Sequence, residues 1–188
     1  MYISIFAMNT DTQFKTKLKE LEKDGIDSLI IDLRGNSGGH LTAVENMISE
    51  FLDKDKVIYQ METKSKIKKY YSKGNKTKIY PIVLLVDNDS ASASEMMTAA
   101  LKESYGATIV GMTTYGKGTV QELQDSNESQ YKITTKKWLT PNGNWINEVG
   151  IKPDYEMELD EKYFLEPTDA HDNQLQKAIE ILKNGTVY

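Results

Sequence analysis

Residues 82–121 read IVLLVDNDSASASEMMTAALKESYGATIVGMTTYGKGTVQ. The apolar run from Ile82 to Val86 breaks off at Asp87-Asn88-Asp89. A run of that length, closed by turn residues, reads as a buried strand. Three serines separated by alanines follow, Ser90, Ser92 and Ser94, and then a helix-like stretch. Ile109-Val110 suggests a second strand, and Lys117 stands between Gly116 and Gly118. A strand turning sharply into a helix, followed by another strand, is the unit from which open α/β sheets are built.

The flanking sequence repeats that unit. Residues 2–8 alternate loosely and are β-rich, so a strand is expected there. Asn9-Thr10-Asp11-Thr12 is a helix-start cluster, and Phe14, Leu18 and Leu21 follow at helical spacing. Gly25 stops that helix. Residues 26–33 hold Leu29-Ile30-Ile31, a buried strand, before the glycine-rich turn at 34–39. Leu41, Val44, Ile48 and Phe51 predict a second helix, and residues 57–62 another strand. Seven lysines lie between 64 and 78, with a turn at Gly74-Asn75. Such a run reads as a solvated, mobile excursion, or more sharply as a patch that meets an acidic partner or anionic lipid. Residues 131–139 are a strand, 141–144 a turn, 155–159 a short edge strand and 172–183 a closing helix ended by Asn184-Gly185. The expected fold is a single α/β domain with a mostly parallel sheet flanked by helices.

The composition sets limits. In 188 residues, 39% are hydrophobic and 27% charged, as in ordinary globular proteins. A net charge of −5 argues against a general nucleic-acid binder. With no cysteine, thiol chemistry, disulfides and Cys-based zinc sites are excluded. No apolar run reaches the roughly 20 residues that span a bilayer, and the first residues do not have the form of a signal peptide.

Ser92 has two physical uses. Ser92-Ala93-Ser94-Glu95 fits a capping box. The same position at a helix N-terminus could hold a nucleophile, with the Ala93 N–H stabilising an oxyanion. A serine nucleophile needs a base. Of the two histidines, His171 sits in a polar setting and His40 follows the glycine turn. Asp87 and Asp89 suit turn hydrogen bonds better than base work. Lys117 is the other choice, and a lysine base must be neutral, a form that burial favours. Gln121 could hold its amine without adding charge. Gly38 and Gly39 leave backbone N–H groups unshielded for a second oxyanion donor, with Asp32 and Arg34 bracing the turn through a salt bridge. Taken locally, the segment reads first as a capping serine and a plain surface lysine, with the catalytic reading as the alternative.

Three motifs occur together: Asp32-Leu33-Arg34-Gly35-Asn36-Ser37-Gly38-Gly39, Ser90-Ala91-Ser92-Ala93-Ser94-Glu95, and Tyr115-Gly116-Lys117-Gly118-Thr119-Val120-Gln121. With Leu139-Thr140-Pro141-Asn142-Gly143 and Gly150-Ile151-Lys152-Pro153-Asp154, they closely resemble the protease core of the C-terminal processing, or tail-specific, peptidases. The family spacing of 25 positions between nucleophile and base selects Ser92 before Lys117. The resemblance implies Gln121 as the residue that orients the lysine, and Ala93 and Gly38 as oxyanion donors. It implies a crotonase/Clp-protease-like fold and peptide hydrolysis through an acyl-enzyme, with no metal and no cofactor. It further implies protein or peptide substrates, an extracytoplasmic setting, membrane contact only through flanks outside these residues, and a possible homo-oligomer. The family's PDZ domain would precede the first strand, and nothing here resembles it. Without it, Lys117 is expected to be solvated and out of hydrogen-bond reach of Ser92. Two other functions compete: ligand binding without catalysis, as in the interphotoreceptor retinoid-binding proteins, and acyl-CoA chemistry of the crotonase type.

Overall fold

The computed structural model describes residues 1–74, 79–125 and 130–185. Its centre is β4 (Ile82–Val86), buried at every position. β4 lies between β1 (Leu29–Asp32) and β5 (Thr108–Gly111), and β8 (Tyr155–Glu156) closes the sheet in the order β1-β4-β5-β8, with every pairing parallel. Side chains alternate across a strand, so β4 feeds two cores. Ile82, Leu84 and Val86 join the larger core with Phe14, Leu18, Val44, Ile48 and Met97. Val83 and Leu85 face the smaller one with Val110, Ala178 and Ile181. Helices α1 (Thr10–Lys23), α2 (Leu41–Ile48) and α3 (Ala93–Ala100) therefore cover one face, and α5 (Asn173–Lys183) the other. This is the α/β arrangement expected from the sequence. A π-helical turn, Leu101–Tyr105, extends α3.

A second sheet, antiparallel throughout, has the order β3-β2-β7-β6. Its strands are β2 (Val57–Glu62), β3 (Ile67–Tyr71), β6 (Thr119–Asp125) and β7 (Gln130–Leu139). Two of these depart from the sequence reading. The lysine-rich segment contains an ordered strand, because Ile67–Tyr71 pairs along β2 and Tyr70 stacks on Tyr59 with ring centroids 4.4 Å apart. Asn75, Lys76 and Lys78 lie outside the described residues. β6 went unrecognised because its polar sequence, TVQELQD, carries little apolar alternation; it is held by its ladder with β7.

Residues 2–8 do not form a strand. They make two isolated parallel bridges, Tyr2 with Asp32 and Phe6 with Gly39. Ile3 N–H donates to the Asp32 carbonyl and Phe6 N–H to the Gly38 carbonyl, so the segment follows the end of β1 into the glycine turn, and the ladder is broken there. The short helix α4 (Glu161–Leu165), capped by Asp160, was also not foreseen.

The Asp32–Arg34 salt bridge is present and larger than expected. Arg34 forks onto Asp32 (Nη2 to Oδ2, 2.6 Å) and onto Asp172 (Nη1 to Oδ1, 3.0 Å; Nη2 to Oδ2, 2.7 Å), and donates to Gln174 Oε1 at 3.0 Å. Asp172 also caps α5 by accepting from Leu175 N–H. Burial pulls the guanidinium toward its neutral form, but hydrogen bonds and charge from Asp32 and Asp172 outweigh it and hold its pKa above the ordinary value. The pair is nearly dry, with side-chain exposures of 15% and 4% for Arg34 and Asp172. Arg34→Ala strands that buried carboxylate and is expected to cost about 3 kcal/mol in urea denaturation. Arg34→Lys keeps the charge but loses the fork, and should fall between the variant and the parent.

Candidate active site

The turn after β4 gives its three serines different work. Asp87 Oδ1 accepts from the N–H groups of Asp89 and Ser90, and Oδ2 from Gly35 N–H at 2.8 Å. The aspartate therefore serves the turn. Ser90, fully buried, donates to the Leu33 carbonyl (2.9 Å), and Ser94, also fully buried, to the Asn36 carbonyl (2.7 Å). Both pin the glycine turn to the start of α3. Ser92 is partly exposed and is the N-cap of α3, with the predicted capping box formed. Its backbone is at φ 56°, ψ −111°. A positive φ is strained for a residue with a β-carbon, and such strain concentrates at functional sites.

Glu95 organises what surrounds it. Its side chain is fully buried, and it accepts four hydrogen bonds. Oε2 receives the N–H groups of Ser92 (2.8 Å) and Lys117 (2.9 Å). Oε1 receives the Thr114 hydroxyl (2.7 Å) and the Gly116 N–H (2.6 Å). One carboxylate oxygen thus holds the backbones of both members of the proposed pair. The sequence reading placed Glu95 in the capping box alone; its spacing from Ser92 carries no sign of the bonds to residues 114–117.

The lysine loop is locked from its other side as well. Trp138 Nε1 donates to the Lys117 carbonyl and Trp145 Nε1 to the Gly118 carbonyl. Glu148 N–H donates to the Gly116 carbonyl, and Ile151 N–H to the Thr114 hydroxyl. The glycines beside Lys117 permit this close approach. A β-carbon on Gly116 would lie 2.9 Å from Gly150 N, and one on Gly118 would lie 2.6 Å from Asn147 N. Gly150 is equally crowded: a β-carbon there would lie 2.2 Å from the Thr114 carbonyl oxygen. The later motif at 150–154 therefore belongs to the site by packing.

The oxyanion expectation divides. Ala93 follows Ser92 as the first residue of α3, and among the described residues its N–H has no acceptor. Gly38 lies directly against the pair: a β-carbon there would be 3.0 Å from Ser92 Cβ and 3.1 Å from Ala93 N. However, the Gly38 N–H donates to Asn36 Oδ1 at 2.9 Å. The expectation that this N–H is free for an oxyanion is not met in this conformation. Asn36 captures it because its amide is itself buried and fixed, donating through Nδ2 to the Ile3 carbonyl at 2.8 Å.

Lys117 and Gln121 have exposed side chains. Gln121 lies on β6, just past a register shift between Val120 and Gln121 in the ladder with β7. Among the described residues, no hydrogen bond joins the Lys117 amine to the Ser92 hydroxyl, as expected for a solvated lysine. His40 is the exposed N-cap of α2, and His171 lies near Glu166 by way of Nδ1. Neither histidine is bonded to Ser92.

The profile of peptidase family S41 matches residues 1–157, and the chain belongs to that family, among its C-terminal processing proteases. Carboxy-terminal processing protease CtpB of Bacillus subtilis (strain 168) is 45% identical over 153 residues, covering 80% of this chain and 32% of that protein. CtpA of the same organism is 40% identical over 170 residues, covering 89% of this chain and 36% of the relative. The structure named photosystem II D1 C-terminal processing protease superposes with a TM-score of 0.78 at 32% identity, covering 84% of this chain and 41% of that one. The chain spans about a third of the length of the two curated relatives.

Two variants probe this geometry. Glu95→Gln replaces one acceptor oxygen by an amide that faces donors, leaving buried N–H groups unpaired. Each such group costs about 1–3 kcal/mol, so a loss of about 3 kcal/mol is expected in urea denaturation. Ser92→Gly removes the β-carbon that opposes the positive φ, whereas Ser92→Ala retains it. The glycine variant is expected to melt at or above the alanine variant, by about 1 kcal/mol in stability.

Proposed function

We propose that this chain is the hydrolytic core of a serine endopeptidase that cleaves proteins at or near their C-termini. Ser92 is the nucleophile and Lys117 its general base. Gln121 orients the amine, and the Ala93 N–H stabilises the oxyanion. The observation that carries this reading is the shared Glu95 oxygen, which ties the backbone of the strained serine to that of the lysine. Ser90 and Ser94 are excluded as nucleophiles because their hydroxyls are buried and bonded to the glycine turn.

In the reaction, Ser92 Oγ attacks the scissile carbonyl carbon and its proton passes to Lys117 Nζ. The oxyanion of the tetrahedral intermediate sits at the N-terminus of α3, where the backbone N–H and the helix dipole favour negative charge. The lysine returns the proton to the departing amine, leaving an ester on Ser92. Water then releases the acid with the lysine again as base. Two rearrangements precede attack: the exposed amine swings onto the serine, and a second donor comes from the glycine turn, by release of Gly38 from Asn36 or from the neighbouring Gly39. Substrate binding supplies both, since catalytic hydrogen bonds tighten in the substrate complex. The substrates are proteins or peptides met outside the cytoplasm.

The same open arrangement is what favours a second reading, a peptide-binding module that does not cleave. Incubation with an unfolded protein such as casein separates the two. Parent activity should fall at least a hundredfold in both Ser92→Ala and Lys117→Ala, and less steeply in Gln121→Ala. Equal rates in the parent and the first two variants would overturn the peptidase reading. Loss in Ser92→Ala with full activity in Lys117→Ala would move the base role to His40.

A further inference from the structure

The second sheet presents a basic edge that the proposed chemistry does not use. Between residues 57 and 80 there are seven lysines and a single carboxylate, Glu62, in a chain whose net charge is −5. β3, an edge strand, carries Lys68 and Lys69, and Lys64, Lys66 and Lys73 flank it. Lys64, Lys66, Lys68, Lys69 and Lys73 are exposed. Among the described residues, none of the five is in an ion pair. Two lysines of β7, on the far side of β2, behave differently: Lys136 pairs with Glu122, and Lys137 reaches Glu62 at 3.8 Å and the Trp145 ring at 4.2 Å. Glu62 is therefore already engaged, and the charge on the β3 edge is uncompensated.

Lysines on an edge strand also discourage strand-to-strand aggregation. That role would be served best by an edge free of apolar groups, and this one is not. Ile67 is 55% exposed and Tyr71 48%, alternating with Lys69 on one side of β3, and Ile79 beyond the strand is 79% exposed. Lysine stems are apolar below the charged head, so lysines interleaved with isoleucine and tyrosine offer a layer of hydrocarbon beneath a layer of positive charge. A flat anionic bilayer surface presents the complementary order, with phosphate above acyl chain.

We propose that the β3 edge docks on an anionic lipid surface. The charge complementarity and the exposed Ile67, Tyr71 and Ile79 select lipid over an acidic protein, which would need no apolar side chains at the rim. No helix among the described residues is long and apolar enough to cross a membrane, so the contact is peripheral. Of the two partners that the lysine run suggested in the sequence, an acidic protein and an anionic lipid, the arrangement of β3 selects the second.

Co-sedimentation with vesicles tests the proposal. The protein should sediment with mixed phosphatidylcholine–phosphatidylglycerol vesicles, not with phosphatidylcholine alone, and should be released by high salt. Replacing Lys64, Lys66, Lys68 and Lys69 together by glutamine should lower the partition coefficient at least tenfold. The matching arginine variant should retain it, which separates lost charge from lost folding. Ile67→Ser should weaken binding without removing its salt dependence. Equal binding to neutral vesicles, or undiminished binding by the glutamine variant, would overturn the proposal. So would capture by soluble polyglutamate without any binding to vesicles, which would assign the edge to an acidic protein instead.

Discussion

A single buried carboxylate sets the relation between the two halves of the site. Glu95 lies in the first turn of α3, and all four of its hydrogen bonds come from neutral N–H or O–H groups. A carboxylate in a dry interior is tolerated only when its lone pairs are satisfied. The converse is that residues 114–117 have few other positions available. If the loop shifts, Glu95 loses its donors; if Glu95 moves, the N-terminus of α3 is uncapped. The relative position of the serine and lysine backbones is set by this mutual dependence, while the lysine side chain is exposed.

The glycine turn obeys a similar logic. Ser90 and Ser94 hold its carbonyl groups, Asp87 holds the Gly35 N–H, and Arg34 ties its beginning to the cap of α5. The turn sits at the C-terminal end of β1, next to the corresponding end of β4. In open parallel sheets that end is where ligands bind, because loops and helix N-termini converge there. The positive φ values of Gly38 and Gly39, 105° and 141°, let the chain pass against Phe6, Ser92 and Ala93. A β-carbon at Gly39 would fall 2.2 Å from the Phe6 carbonyl oxygen.

Much of this was legible in the sequence. Ile82–Val86 could only be a buried strand, and the parity of its residues already implied two faces. The choice of Ser92 over its neighbours rested on motif spacing; of the three serines, Ser92 is the one at a positive φ and partly exposed. Other features could not be read. β6 has no apolar stripe and gains its form from β7. The lysines of β3 hid an ordered strand because pairing along β2 overrides their solubility. Glu95 was seen as a cap because a linear sequence shows its local partner and conceals those about twenty residues later. The Gly38 N–H could not be assigned because the acceptor that takes it is a side-chain amide two residues away.

The links that build the site also run late in the chain. Arg34 finds Asp172 across 138 residues, and Thr114 is bonded to Ile151 across 37. During synthesis the serine and the lysine leave the ribosome well before the segments that brace them. The glycine turn has no anchor on α5 until that helix emerges, and the lysine loop lacks its inner wall until the two tryptophans and Gly150 arrive. The backbone framework around Ser92 and Lys117 is thereby completed only once Asp172 has emerged. A chain that stops short of those segments would hold Ser92 and Lys117 without the hydrogen bonds and packing that fix their backbones.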